Sequence, residues 1–219
     1  MSVTSQEQAM KSAAQSRQKV LAVFPAVSGA LLMIGGALTP PGLDQPITTR
    51  ATTLKMLPIA AAHTNQLFLS NLLVIFGLGA LGVSFAAMAT LVRDRGAILA
   101  TVSAVIGGFG ALCGVIENVL VGFNLGSTVT AHLSRDAAAQ YLVATFTSGI
   151  GEGILVAYLA GLVIAALLMV IALWRSRSVP RWLPVLFGIG LPIGASAPPG
   201  IVSVPLQLPV VVALERLAE

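Results

Sequence analysis

Two glutamates, Glu117 and Glu152, are the residues of this chain best suited to chemistry, because each lies inside a long apolar run. The other six of the eight acidic residues lie in polar segments or tails, namely Glu7, Asp44, Asp94, Asp136, Glu215 and Glu219. A carboxylate inside a membrane-spanning run is costly unless it is neutralised, paired or hydrated. Burial raises the pKa of a carboxyl group, and a carboxyl group that keeps its proton can act as a general acid. Glu117 and Glu152 are therefore the predicted catalytic residues.

The two glutamates are expected at the same depth in a membrane. Glu117 lies 20 residues after Ala97, where its apolar run begins, and Glu152 lies 21 residues before Leu173, where its run ends. At the rise of an α-helix, both distances are about 30 Å. Since the hydrocarbon layer of a bilayer is also about 30 Å thick, both side chains are predicted near its outer edge.

A stripe of small residues precedes Glu117 on its predicted helix, with Gly107, Gly110 and Gly114 on the same face. Small residues allow two membrane helices to approach closely. The stripe therefore predicts that Glu117 faces a neighbouring helix rather than lipid.

Polar and aromatic side chains are expected around the two carboxyl groups. Asn71 lies at the same depth, because it is about 31 Å from the charged end of its own run. Segment 141–152 carries polar residues at spacings of 0, 4, 7 and 11, which predicts one polar helix face. His63, Gln66 and Ser70 share another predicted face. The predicted substrate-binding residues are Asn118, Asn71, His63, Phe68, Phe123, Phe146 and Tyr141.

The composition places these residues in an integral membrane protein. Of the 219 residues, 56% are hydrophobic and 9% are charged, whereas soluble domains carry about 25% charged residues. The single cysteine excludes a disulfide scaffold. The net charge of +4 is spread along the chain, so no basic stripe indicates a nucleic-acid partner. The predicted fold is all-α, a polytopic helix bundle whose immediate surroundings are membrane lipids.

About six spans are predicted, with five to seven as the range, in a single domain over residues 20–217. The predicted spans are Val20 to Leu38, Leu67 to Val92, Ala97 to about Phe123, one within Tyr141 to Leu173, Trp182 to Ala197, and Ile201 to Leu214. Prolines interrupt the last two, which predicts either two kinked spans or a re-entrant hairpin. A short interfacial helix is predicted at Thr52 to Ala62.

The distribution of basic residues predicts the orientation. Nine of the 12 lysines and arginines fall on the side of the N-terminus in a six-span arrangement, and three fall on the other side. Because cytoplasmic loops carry the excess of basic residues, residues 1–19 are predicted to be a cytoplasmic tail. The predicted location is the cell membrane.

The sequence lacks the motifs of common metal-binding and phosphate-binding sites. There is no H-E-x-x-H or C-x-x-C motif, no cluster with metal-ligand spacing, and no phosphate-binding glycine loop. The sequence therefore predicts no metal and no cofactor. Cys113 lies on an apolar helix and is interpreted as a packed thiol.

Three functions fit two carboxyl groups in a dry, aromatic-lined site. A protonated glutamic acid can protonate an olefin or an epoxide of a lipophilic substrate, and the rings can stabilise the carbocation. The same acids can bind the coupling proton or cation of a transporter, although carriers usually bind at the midplane between repeats. A non-catalytic membrane subunit is the third possibility, in which the glutamates only fix helix register through hydrogen bonds.

The size, the multi-helix layout and the pair Glu117 and Glu152 resemble the small membrane-bound terpene cyclases of actinomycete indole-sesquiterpenoid pathways and their fungal relatives. The resemblance covers most of the chain in layout and implies a metal-independent enzyme that protonates and cyclises a prenyl chain. It implies that Glu117 is the general acid and Glu152 the partner acid or base. The aromatic content of 5% is lower than expected for a cyclisation pocket. The chain is also similar to actinobacterial membrane proteins with an R-x-R-G turn, here 93–96, a likeness that implies no activity.

Overall fold

The fold was analysed in a computed structural model, which describes residues 23–43, 47–92, 95–131 and 133–176, together with positions 182 and 185. This part of the chain is all-α, as the composition and the apolar runs predict. It contains six helices: α1 Val23–Leu38, α2 Arg50–Ala62, α3 Thr64–Leu91, α4 Ala97–Thr130, α5 Arg135–Phe146 and α6 Gly149–Ser176.

Three of these helices are long and apolar enough to cross a membrane. The candidate spans are Thr64–Thr90 in α3 and the whole of α4 and α6, with 27, 34 and 28 residues. Their lengths of about 40–51 Å exceed the thickness of the hydrocarbon layer. The protein is therefore a multi-pass membrane protein by this criterion. Helix α1 coincides with the first predicted span and is apolar but shorter over its described residues.

Some sequence predictions lie outside the described residues. They are the cytoplasmic tail 1–19 and, apart from positions 182 and 185, the two proline-interrupted spans 182–197 and 201–214. The spans predicted to begin at Leu67 and Ala97 coincide with α3 and α4, although α4 continues to Thr130 instead of ending near Phe123.

The short helix predicted at Thr52 to Ala62 is confirmed as α2, which begins two residues earlier. Thr49 caps its start by accepting a hydrogen bond from the main-chain N–H of Thr52, as N-cap threonines do.

The predicted polar face along segment 141–152 is wrong, because the chain turns at Thr147 and Ser148 and two separate helices meet there. The Ser148 hydroxyl accepts a hydrogen bond from the N–H of Gly151 at 3.1 Å, as an N-cap serine does. Glycine at 151 permits the tight turn, since a Cβ there would lie 2.7 Å from the Thr145 carbonyl oxygen. The fourth predicted span accordingly begins at Gly149.

Helices α1, α3, α4 and α6 pack as antiparallel neighbours in chain order. Serine hydroxyls join α1 to α3: Ser28 donates to the Gly77 carbonyl at 2.9 Å, and Ser70 donates to the Gly35 carbonyl at 2.7 Å. Helix α4 packs on both α3 and α6, and large side chains from all three helices form the main core. Phe85, Leu162 and Met169 are among its fully buried members.

Helices α4 and α6 approach closely where Gly110 of the predicted stripe meets Gly161. A Cβ atom at Gly110 would lie 3.0 Å from the Leu162 nitrogen, and one at Gly161 would lie 2.9 Å from the Gly110 Cα. Nearby, the Ser103 hydroxyl donates to the Ala165 carbonyl at 2.7 Å. The glycine stripe therefore lies at a helix–helix interface, as small residues in membrane helices commonly do.

Replacing Ser103 by alanine is expected to lower the free energy of unfolding by about 0.6 kcal/mol and by no more than about 1.7 kcal/mol, the range for hydrogen bonds between membrane helices. Ser127→Ala is the matched control, because Ser127 is exposed and bonds only its own helix at Asn124. Reversible unfolding of purified protein in mixed micelles measures both values. A loss for Ser127→Ala as large as that for Ser103→Ala would contradict the expectation.

At one end of the bundle, α2 and α5 form a cap over the start of α3 and the last turns of α4. The cap has its own apolar core, whose buried members are Leu43, Ile47, Met56, Leu57, Ala60, Leu67, Leu125, Ala138, Ala139 and Leu142. Arg50 of α2 and Asp136 of α5 form an exposed ion pair at 2.8 Å. The cap end is where both predicted catalytic glutamates lie.

At the opposite end, α3 is followed by the turn that begins α4. Gly96 has φ +111°, and a Cβ there would lie 2.8 Å from the Ala172 carbonyl oxygen of α6. Only glycine fits this left-handed position without strain. The R-x-R-G segment thus ends in a turn that packs α4 directly against α6.

Candidate functional site

Glu117 lies on α4, three residues after Gly114, and its side chain is partly buried within the bundle. Asn118 holds it: Nδ2 of Asn118 donates to Oε2 of Glu117 at 3.2 Å and to the Gly114 carbonyl at 2.9 Å. The amide thereby ties one carboxyl oxygen to the main chain of its own helix. Within the described residues, no group donates a hydrogen bond to Oε1, the other oxygen.

The packing of α4 on α6 gives the relative height of the two glutamates, meaning their positions along the axis of the bundle. Because Gly114 lies against Tyr158 in this antiparallel pair, Glu117 stands opposite position 155. Glu152 is three residues from that position, which is about 4.5 Å along the helix. The two carboxyl-bearing residues therefore lie within about one helical turn of each other in height.

Glu152 differs from Glu117 in its surroundings. It lies in the first turn of α6 and is exposed. A negative charge at this position is favoured by the helix dipole, which gives Glu152 a structural role independent of any reaction. Among the described residues, its carboxyl group has no hydrogen-bond partner. The two glutamates therefore differ: the Glu117 carboxyl group is fixed by a hydrogen bond from Asn118, whereas that of Glu152 has no such bond among the described residues.

The predicted polar residues of α3 lie against two different helices, α4 and α1. Asn71 lies on the α4 side, where its side chain contacts the position of Gly122, and its Nδ2 donates to the Leu67 carbonyl at 2.9 Å. Gln66 and Ser70 bond to α1 instead. Because Gly122 is five residues after Glu117, Asn71 lies about 7.5 Å beyond Glu117 towards the cap.

His63 and Phe68 lie at the start of α3. His63 is exposed at the junction of α2 and α3, where its main-chain N–H donates to the Ile59 carbonyl at 3.0 Å. The Phe68 side chain is 60% exposed. In the described residues, neither of them contacts Glu117 through a hydrogen bond.

The remaining predicted aromatic residues surround the cap end. The Tyr141 hydroxyl donates to Oδ1 of Asn124 at 3.1 Å and so joins α5 to α4. Phe146 packs against the core of the cap. Phe123 is 66% exposed on α4, six residues beyond Glu117. The three rings therefore differ in exposure: Phe123 is mostly exposed, Tyr141 is about half exposed, and Phe146 is partly buried.

Tyr158 is the residue of this site that the sequence analysis missed. Its ring packs over Gly114, where a Cβ would lie 2.6 Å from the ring atom Cδ2. It is partly buried and packs against the main core. Its place among apolar residues of α6 gives no sign of this, because the space for the ring is made by a glycine on α4.

No metal centre is found among the described residues, where no group of three or more histidine, cysteine or acidic side chains converges. The described side chains around Glu117 offer a carboxyl group, an amide and a phenol. Cys113 is buried with a free thiol, in agreement with the interpretation of a packed side chain.

Comparisons with known proteins found no match. No protein-family model, no curated protein and no solved structure matches the chain. The candidate site accordingly rests on its own geometry, and the resemblance to terpene cyclases stays a prediction.

Proposed function

We propose that this protein is an integral membrane enzyme that protonates and cyclises the prenyl chain of a lipophilic substrate, with Glu117 as the general acid. The observation that carries the proposal is the arrangement at Glu117. Its carboxyl group lies inside a candidate span, Asn118 holds one oxygen, and the other is open. A protonated carboxyl group in such a place is a proton donor to a substrate that dissolves in the bilayer.

The proposed reaction begins with transfer of the Glu117 proton to a carbon of a double bond. The O–H bond breaks, the π electrons of the substrate form the new C–H bond, and the neighbouring carbon becomes a cation. A second double bond of the chain closes the ring. Loss of a proton to the Glu117 carboxylate then forms an olefin and restores the acid, so no cofactor or co-reactant is consumed.

Aromatic rings between Glu117 and the cap support the proposal, because the face of a ring stabilises a cation. Phe123 and Phe68 are 66% and 60% exposed on α4 and α3, on a surface that a lipophilic substrate in the bilayer would reach. Glu152 remains the predicted partner acid or base. Its exposed position at the start of α6 makes its contribution smaller than that of Glu117 in this proposal.

Turnover in membranes tests the function. Membranes that contain the protein are incubated in D2O with farnesyl- and geranylgeranyl-substituted indoles and phenols, the substrate class that the resemblance suggests. The expected product is cyclic and carries one deuterium on carbon. Absence of any product contradicts the enzyme proposal. Uptake driven by a pH gradient into proteoliposomes would instead identify a carrier, and a co-purifying partner with neither activity would identify a subunit.

We further propose that the protein lies in the cell membrane with its N-terminus in the cytoplasm, about six spans and the cap outside. The sequence supports this orientation, since nine of its 12 basic residues fall on the side of the N-terminus. In the described residues, Arg95 and Arg175 lie at the end opposite the cap, where the positive-inside rule places cytoplasmic charges.

Single cysteines report the orientation in intact cells. In a Cys113→Ala background, Lys55→Cys is expected to react with a membrane-impermeant maleimide added outside, because Lys55 is exposed on the cap. Arg175→Cys, exposed at the other end, is expected to react only after permeabilisation. The reverse pattern of labelling would contradict the proposed orientation.

A further inference from the structure

Asn118 meets the Glu117 carboxyl group with its amide nitrogen, and a second hydrogen bond determines which end of the amide does so. Nδ2 of Asn118 donates to the Gly114 carbonyl at 2.9 Å and to Oε2 of Glu117 at 3.2 Å. A main-chain carbonyl only accepts hydrogen bonds, and the side-chain oxygen of an asparagine has no proton to donate. The Gly114 carbonyl therefore requires the NH2 end of the amide at this point, and the same NH2 group bonds to Glu117.

An N–H donor at Oε2 determines where the acidic proton of Glu117 lies. A protonated carboxyl group has one carbonyl oxygen and one oxygen that carries the proton. The carbonyl oxygen is the stronger acceptor of the two, so the Asn118 amide favours the form in which Oε2 is the carbonyl oxygen. The proton is then on Oε1, which no group in the described part of the chain contacts through a hydrogen bond. Exchange of the two oxygens requires a half-turn of the carboxyl group and the loss of the bond to Asn118.

The same hydrogen bond gains strength during the proposed proton transfer. Once Oε1 has given up its proton, Glu117 is a carboxylate, and a hydrogen bond to an ionised acceptor is about twice as strong as one between neutral groups. An interaction that strengthens as charge develops lowers the barrier of the reaction. Glu152 has no such donor among the described residues, so the two oxygens of its carboxyl group are not distinguished in this way.

We propose that Asn118 is a positioning residue of the acid site: its amide, held by the Gly114 carbonyl, keeps the acidic proton of Glu117 on Oε1, so that the substrate double bond is protonated on one face only. In this step the O–H bond at Oε1 breaks, and the π electrons of the substrate form the new C–H bond on that face. The choice of face rests on the proposed function, because it needs a substrate. The placement of the proton does not, so the two are tested separately.

Infrared spectroscopy of the purified protein in lipid nanodiscs at neutral pH tests the placement of the proton. The C=O band of protonated Glu117 is assigned by its loss in Glu117→Gln. A hydrogen bond to a carbonyl oxygen lowers its stretching frequency, so Asn118→Leu is expected to raise the frequency of this band. Asn71→Leu is the matched control, because Asn71 also donates to the main chain four residues earlier, at Leu67, and within the described residues has no hydrogen bond to Glu117. It is expected to leave the band in place.

Asn118→Ser is the second variant, which separates the hydrogen bond from the packing of the side chain. A serine hydroxyl in a helix can donate to the carbonyl four residues earlier, as Ser84 does to Ala80 at 2.7 Å. Serine is thus expected to keep the bond to the Gly114 carbonyl and to lose the one to Glu117, and to raise the band as leucine does. A rise only in the leucine variant would assign the effect to packing and overturn the inference. Elution from size exclusion and thermal unfolding check the fold of both variants, and serine carries the test if the leucine variant does not fold.

Turnover in D2O tests the choice of face. When a deuteron adds to the CH carbon of a trisubstituted prenyl double bond, the neighbouring carbon becomes a tertiary cation, and the CH carbon carries one H and one D and is a stereocentre. Deuterium NMR of the cyclic product is expected to show one configuration for the wild-type protein and both for Asn118→Leu. The kcat of this variant is expected to fall by about 10- to 100-fold with little change in KM, the effect of a hydrogen bond to a charged group.

The possible results separate the inference from the proposed function. A band that stays in place or falls in frequency in Asn118→Leu, or that rises equally in Asn71→Leu, overturns the inference. So does a spectrum in which Glu117→Gln removes no protonated-carboxyl band. A raised band with a single product configuration in Asn118→Leu overturns the choice of face by Asn118. A raised band in a protein that turns over no substrate supports the placement of the proton and overturns the proposed function.

Discussion

Replacing Glu117 by glutamine is expected to lower turnover of the prenylated substrate by about 100-fold or more, because a positioned general acid contributes about 10²–10⁴-fold to rate. Glutamine keeps the size of the side chain and its ability to accept from Asn118. It cannot donate the acidic proton. The initial rate of cyclic product formation in membranes, normalised to the amount of folded protein, measures the effect.

Glu152→Gln is the matched control for this prediction, since it makes the same chemical change at nearly the same height. Glu152 is exposed in the first turn of α6, and removal of its charge weakens only its interaction with the helix dipole. Its turnover is expected to fall by less than about 10-fold if the proton transfer depends on Glu117 alone. Equal activity of both variants and the wild-type protein would contradict the assignment of an acid to this site.

The second large effect is expected at Gly110, where valine is predicted to lower the free energy of unfolding by about 3 kcal/mol, the upper end for overpacking. A Cβ atom there already meets main-chain atoms of α6 at 3.0 and 3.1 Å. Main-chain atoms cannot rotate away as the end of a side chain can. The valine must therefore push α4 and α6 apart, and the thermal unfolding of purified protein measures the loss.

Gly108→Val is the control for Gly110→Val, because the two glycines lie on the same helix. A Cβ at Gly108 would meet nothing within 4 Å, so the added side chain has open space. Both variants add the same β-branched residue to α4 and change its intrinsic helix propensity equally. A loss of stability in Gly108→Val as large as that in Gly110→Val would show that propensity, and not contact with α6, is responsible.

The membrane-spanning helices could be predicted from the sequence because the bilayer imposes a simple requirement. About 20 apolar residues in a row are needed to cross it, and the runs behind α3, α4 and α6 meet this condition without any tertiary information. The stripe at Gly107, Gly110 and Gly114 predicted a close helix neighbour for the same local reason. The structure shows that neighbour to be α6 along Gly110 and Gly114, and α3 along Gly107.

The break between α5 and α6 could not be read from polar spacing. The segment around Thr145 and Ser148 keeps a helical period, so it fits one continuous helix as well as two. What decides the outcome is the Ser148 hydroxyl, which accepts from the Gly151 N–H and begins a new helix. Capping competes locally with continuation of the helix, and periodicity does not measure that competition.

Part of the candidate site also could not be predicted from the sequence. Glu117 and Asn118 are adjacent in sequence, so their association could be expected from local geometry. Tyr158 is 41 residues from Glu117 in the chain, and its position depends on how α6 registers against α4. Depth along a helix can be counted from a sequence, whereas the rotation of one helix against another depends on packing.

The length of α4 has a consequence for where the reaction would take place. Its 34 residues extend about 51 Å, which exceeds the hydrocarbon layer by about 20 Å. An isolated helix of this length would tilt, so that its extra apolar residues stay inside the hydrocarbon layer. Here Leu125 and Val129, in the surplus turns, are covered by the cap. Because the cap covers these turns, we expect contacts with α2 and α5, as well as the thickness of the lipid, to determine the depth of α4 and of Glu117 in the membrane.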